Sequence, residues 1–158
     1  MKRTSSVLLQ VVIVLIGAGA LAFLLWEPHL EGRNARATLF QIYFNDPFLA
    51  YVYVGSGSFF AVLYQAFRVL RYAGEDRFFT QAAANRLRSM RRCAMAIIGF
   101  VAVGEVFIML GGSDDRAGGV FMGILIAIGS LVIASAAAMF ERRVHDALER
   151  KPESDLNA

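Results

Sequence analysis

Glu105 stands in the run FVAVGEVFIML, residues 100–110, which is otherwise apolar. A carboxylate in such a place can hold a proton, meet a cation, or fix how two helices meet through hydrogen bonds. Burial without a cation favours its neutral form, whereas a nearby arginine favours its charged form. Counted back from Leu110, Glu105 lies about 7–8 Å inside the run at helical rise. Matching that depth on the preceding apolar block gives Tyr53, with Ser56 close by, as donors to the carboxylate. Arg33, Arg36 or Arg116 could reach down from the flanking segments.

The other groups able to do chemistry form weaker sets. Glu141, His145 and Glu149 recur at four-residue intervals, and Glu27 and Glu31 flank His29 in EPHLE. Each is a sparse ligand set on exposed sequence, and Asp114-Asp115 in GGSDDRAGG reads as a solvated turn. Cys93 is single, which excludes an internal disulfide and leaves a small apolar filler. YVGSGSFF has glycines and serines but no base or phosphate partner. No H-E-x-x-H, zinc spacing, phosphate-cradling loop or G-x-S-x-G is present. The catalytic set is therefore empty, and no cofactor or metal is implied.

The elements that hold these groups follow from where the charges fall. Hydrophobic residues make up 57% of the chain and charged residues 18%, against an ordinary charged share of about 25%. The apolar residues form four blocks, residues 7–26, 47–70, 93–110 and 120–140, of 20, 24, 18 and 21 residues. About 20 residues at ~1.5 Å rise cross a ~30 Å hydrocarbon core. In lipid every backbone group needs a partner within its own segment, so the blocks are expected to be helices. They are apolar all round, which a soluble bundle would not tolerate. The expected fold is all-α: an antiparallel bundle of four transmembrane helices, one domain over residues 1–148, followed by a flexible tail at 149–158.

Of the sixteen Lys and Arg, thirteen fall on one side of this layout and three on the other. The positive-inside rule makes the richer side cytoplasmic and puts both termini inside. The net charge of +3 thus needs no nucleic-acid partner. A cleaved signal at residues 1–22 is a rival, but the apolar run continues through Trp26, beyond the usual 7–15-residue signal core.

Between the blocks, residues 35–44 place Leu39, Phe40, Tyr43 and Phe44 on one helical face and are expected to lie as a short helix in the outer headgroup region. Thr80 reads as the N-cap of a cytoplasmic helix that continues into the third span. Arg86, Arg88, Arg91 and Arg92 gather there, suited to anionic lipid headgroups or to a protein partner. Small residues should mediate helix contact: Gly123, Ala127, Ser130, Ala134 and Ala137 on the fourth span, Gly57 and Ala61 on the second, and Ala18 and Ala22 on the first. Self-association is a second use for such faces.

Residues 59–100, FFAVLYQAFRVLRYAGEDRFFTQAAANRLRSMRRCAMAIIGF, resemble a family of small four-span bacterial membrane proteins known as domain of unknown function 2975. Tyr64-Gln65-Ala66, Phe79-Thr80 and Leu87-Arg88 carry the likeness, which with the span spacing extends over residues 7–140. It implies a bacterial inner-membrane location and genes often lying beside a small helix-turn-helix regulator. It supplies no catalytic or binding residues. The resulting expectation is a multi-pass inner-membrane protein without enzymatic activity, acting through protein partners, assembly or envelope sensing. The alternative is a small proton- or cation-coupled transporter or channel using Glu105.

Overall fold

The computed structural model describes residues 3–26, 38, 40, 47–110 and 116–156, with side chains omitted at 116 and 151–156. Four helices account for nearly all of them: α1, Arg3–Trp26; α2, Pro47–Gly74; α3, Gln81–Leu110; and α4, Arg116–Leu156. Each is long and apolar enough to cross a membrane. The outer helix expected at residues 35–44 lies, Thr38 and Phe40 apart, outside the described residues.

The helix ends have local causes. Pro47 opens α2 at the first helical position, where its missing N–H is no loss. After Gly74 the Glu75 N–H donates to Arg71 O at 3.0 Å and the Arg77 N–H to Tyr72 O at 2.8 Å. Asp76 then takes φ 55°, a left-handed conformation that Asp tolerates better than most residues. Thr80 caps α3: its Oγ1 accepts from the Ala83 N–H at 3.3 Å, and its carbonyl accepts from Ala84 at 3.1 Å. The helix so begun runs without a break into the third apolar block.

Each helix packs on the next in the chain: α1 on α2, α2 on α3, α3 on α4. In α1 only Ser6, Gln10, Ile13, Gly17, Ala20 and Leu24 are less than fully exposed. Their alternating spacing of three and four marks one narrow face, the face on α2. Ala18 and Ala22 lie outside it, exposed.

Two clusters form the interior. Val62 of α2, Ala94 and Ile97 of α3 and Ala134 of α4 meet midway, flanked by Phe59, Met90, Cys93, Val101 and Ile133. Ala84, Leu87 and Val144 form the second cluster, with Val69, Phe78 and Leu148 against them. Phe78, from the α2–α3 turn, sets its ring edge-on to Phe140 at 6.0 Å. Large apolar side chains on the outer faces remain uncovered, among them Phe23, Val54, Phe121 and Val132. In lipid that exposure carries no penalty, and small buried residues such as Ala94 and Ala137 let the backbones approach.

The second cluster lies beyond the apolar blocks. With 30 residues α3 is about 45 Å long, and with 41 residues α4 is about 61 Å, against a ~30 Å hydrocarbon core. Both therefore project past the membrane together, at the arginine-rich end. α4 stays helical through Pro152 to Leu156, so most of the stretch expected as a flexible tail continues the helix. No glycine follows Gly129 to end it.

Candidate functional site

Glu105 projects from α3 onto α4, against Gly123. A Cβ built on Gly123 would lie 1.6 Å from Glu105 Oε1 and 3.3 Å from Val101 Cγ1. The carboxylate thus occupies space that only a glycine leaves open. Oε2 is buried and has no hydrogen-bond partner among the described residues. Gly119, one turn earlier, sits close to Ile108, which a Cβ there would approach to 3.0 Å. Two glycines at i and i+4 therefore bring α4 onto the Ile108–Glu105 side of α3.

Tyr53 and Ser56 work elsewhere. The Tyr53 hydroxyl donates to Leu24 O of α1 at 2.6 Å, and Ser56 Oγ donates to Tyr53 O on its own helix at 2.7 Å. Both belong to the α1–α2 side, because Tyr53 points at α1 while Glu105 points at α4. Arg33 and Arg36, and the side chain of Arg116, lie outside the described residues. Tyr51 supplies the α2–α3 link: its hydroxyl donates to Phe100 O at 2.7 Å, and its ring lies 5.4 Å from Phe100 and 5.6 Å from Phe107.

On α4, Gly123, Ser130, Ala134 and Ala137 are buried and Ala127 half-buried. On α2 the close approach falls to Gly55, whose Cβ would sit 3.4 Å from the Phe100 ring; a Cβ on Gly57 meets nothing within 4 Å. Gly57 is exposed, and Ala61, one turn on, is half-buried. The tightest α1–α2 approach joins Ser6 and Gly74, where a Cβ would stand 2.7 Å from Ser6 Oγ. Ser6 is 2% exposed and donates to Leu70 O, while Gln10 Nε2 donates to Phe67 O at 3.4 Å. The signal for this face was its run of small and polar residues at three- and four-residue spacing.

The four arginines just before the third block separate into three environments. Arg88 Nε donates to Glu141 Oε1 at 2.8 Å, and Arg91 Nη1 lies 3.5 Å from Glu141 Oε2. The second contact is an ion pair not aligned as a hydrogen bond. The Glu141 side chain is only 12% exposed, so this pair of contacts bolts α3 to α4 just beyond the apolar blocks. Arg86 Nη1 donates to Gln65 Oε1 at 3.2 Å, and its Cζ lies 5.8 Å from the Tyr64 ring centroid. Arg92 is exposed. On the α2–α3 turn, Arg71 Nε donates to Glu75 Oε1 at 2.8 Å. That hydrogen bond holds the Glu75 carboxyl below its usual value, with Arg77 and Arg3 adding positive charge nearby.

Glu141 therefore faces α3, while His145 and Glu149 pair with each other at 3.3 Å on the exposed side. The three do not converge, and no His/Cys/Asp/Glu group able to hold a metal ion occurs among the described residues. What the arrangement offers chemically is one carboxylate enclosed between two helices, and a basic end whose arginines are partly engaged within the fold.

The family model for "Protein of unknown function (DUF2975)" matches residues 32–157. The chain is also 32% identical over 158 residues to the uncharacterized membrane protein YoaS of Bacillus subtilis (strain 168), with 99% of each chain covered. No solved structure matches it. Four long apolar helices in sequence, together with these two matches, make this a multi-pass membrane protein that belongs to the DUF2975 family.

Proposed function

We propose that the chain is a non-enzymatic protein of the cytoplasmic membrane that acts through a protein partner on its arginine-rich, cytoplasmic end. The observation that carries this reading is the joint continuation of α3 and α4 past their apolar blocks. Ala84 and Leu87 of α3 pack against Val144 of α4, with Phe78 and Leu148 alongside. Arg88 and Arg91 hold Glu141 across the same pair of helices. A two-helix head of this kind is rigid before anything binds, and rigidity lowers the ordering cost of association. Its exposed cations, Arg92, Arg142 and Arg143, suit an acidic surface. Sensing of envelope state or assembly with further copies would be transmitted through the same head.

The test is charge reversal at the free arginines. Arg92→Glu with Arg142→Glu and Arg143→Glu should abolish co-purification of a defined partner while insertion and helix content persist. Partner capture undiminished by all three changes would refute the reading. Arg86 and Arg88 are unsuitable for this purpose, since they bond to Gln65 and Glu141.

One observation favours a second reading, a small proton- or cation-coupled transporter. Glu105 Oε2 is buried without a hydrogen-bond partner among the described residues, which is costly for a structural group and ordinary for one that binds and releases a proton. Flux into liposomes that disappears in Glu105→Gln, with assembly intact, would support it. Absence of flux under proton, sodium and potassium gradients would dismiss it.

A further inference from the structure

The arginine-rich end holds a pair of cations that no carboxylate among the described residues neutralises. Arg68 of α2 and Arg86 of α3 both lie near enough to the Tyr72 hydroxyl to act on it, Arg68 foremost. Aromatic faces hold both guanidinium groups: Arg68 Cζ lies 5.9 Å from the Tyr72 ring centroid, and Arg86 Cζ 5.8 Å from that of Tyr64. Gln65 further fixes Arg86 through a 3.2 Å hydrogen bond. Both arginines are half-buried, and Arg68 Nε is buried with no hydrogen-bond partner among the described residues. Arg71, Arg77, Arg88 and Arg91 each have a carboxylate within 4.0 Å. Among the described residues no carboxylate pairs with Arg68 or Arg86.

Two like charges held together in a partly desolvated place repel one another, and an unpaired buried donor adds to the penalty. An anion between them relieves both. Guanidinium forks match the planar pairs of oxygens on a phosphate, and a phenol can donate to a third oxygen.

The surroundings choose the source of the phosphate. Arg68 lies two residues before the end of the apolar block at 47–70, at headgroup height. Val54, Gly57, Ala61, Tyr64 and Arg68 follow one another at spacings of three and four, so they share one face of α2. Val54, Gly57 and Tyr64 are exposed, and a Cβ on Gly57 would meet nothing. The small residues leave a shallow apolar track that leads straight to the arginine pair. We propose that Arg68, Arg86 and Tyr72 form a binding site for the phosphate of a membrane phospholipid, whose acyl chain lies along the Val54–Tyr64 face of α2. This proposal stands apart from the partner reading, which uses Arg92, Arg142 and Arg143.

Native mass spectrometry of the delipidated protein tests it with three probes: phosphatidylglycerol, a diacylglycerol of the same chains, and inorganic phosphate. Phosphatidylglycerol should be retained and diacylglycerol not. Arg68→Gln or Arg86→Gln should weaken retention about tenfold, the value of one charge-assisted hydrogen bond. Tyr72→Phe preserves the ring and both charges, and should weaken it about fivefold. Arg92→Gln removes the same charge from the exposed rim and should change nothing. Equal loss in Arg92→Gln would reduce the effect to diffuse attraction and overturn the site. Equal retention of diacylglycerol would overturn phosphate recognition, and inorganic phosphate binding as tightly as the lipid would overturn the lipid as ligand.

Discussion

At the scale of single residues, the tightest fit at any glycine among the described residues is the one at Gly123. With Glu105 Oε1 where a Cβ would be, Gly123→Ala must move either the carboxylate or the helix. The Glu105 side chain is flexible and half-buried and can turn aside, but Val101 Cγ1 would stand 3.3 Å from the new methyl group, so the expected loss is about 1 kcal/mol, the low end for overpacked cores. Gly57→Ala is the paired control: nothing stands within 4 Å of the new methyl group, and fold stability should be unchanged or slightly improved by helix propensity. Unfolding by sodium dodecyl sulfate in mixed micelles compares the two, and a Gly123→Ala variant as stable as Gly57→Ala would contradict the α3–α4 register. Glu105 and Gly123 were each visible in the sequence, one as a carboxylate in an apolar run and one in a small-residue stripe. Their meeting was not, because it depends on the rotation and axial offset of two helices that are apolar all round. Gly55 and Gly57 illustrate the same limit: two positions apart is about 200° of helix rotation, and only the Phe100 ring identifies the packed one.

At the scale of elements, what the sequence made legible is what local chemistry decides. Hydrophobic length located four helices, Thr80 gave one start, and the unbroken helix through 81–110 followed from that cap and the helix formers after it. Helix faces were harder. On α1 the stripe that contacts α2 includes Ser6 and Gln10, while the small residues Ala18 and Ala22 are exposed. A span without an amphipathic pattern does not announce its contact face, since lipid and protein neighbours are about equally apolar. Ion pairs between elements are also invisible to spacing rules: Arg88 and Glu141 are 53 positions apart. That pair yields a measurable expectation. With side-chain exposures of 44% and 12%, screening keeps it well short of a fully buried pair. A double-mutant cycle with Arg88→Ala and Glu141→Ala should give a coupling of about 1 kcal/mol, smaller at high salt. Zero coupling at low salt would mean that apolar packing at Leu87 and Val144 alone joins the two helices there.

At the scale of the whole molecule, α2, α3 and α4 share one interior, and α1 is laid against α2. The four helices differ in length, and that asymmetry fixes which end reaches out of the membrane. The apolar part of α4 begins near its start, and its charged part, from Glu141 onward, follows without interruption. About 24 Å of that helix, residues 141–156, must then stand in water on that side. Thirteen of sixteen basic residues mark the same side. Positive charge retained inside during insertion predicts that this end is cytoplasmic. In a Cys93→Ala background, a cysteine at exposed Ala117 should react with a membrane-impermeant maleimide on intact cells. One at exposed Arg142 should react only after the membrane is opened. The opposite labelling pattern would put the α3–α4 head outside the cell, and would remove the cytoplasmic partner from consideration while leaving the helix packing untouched.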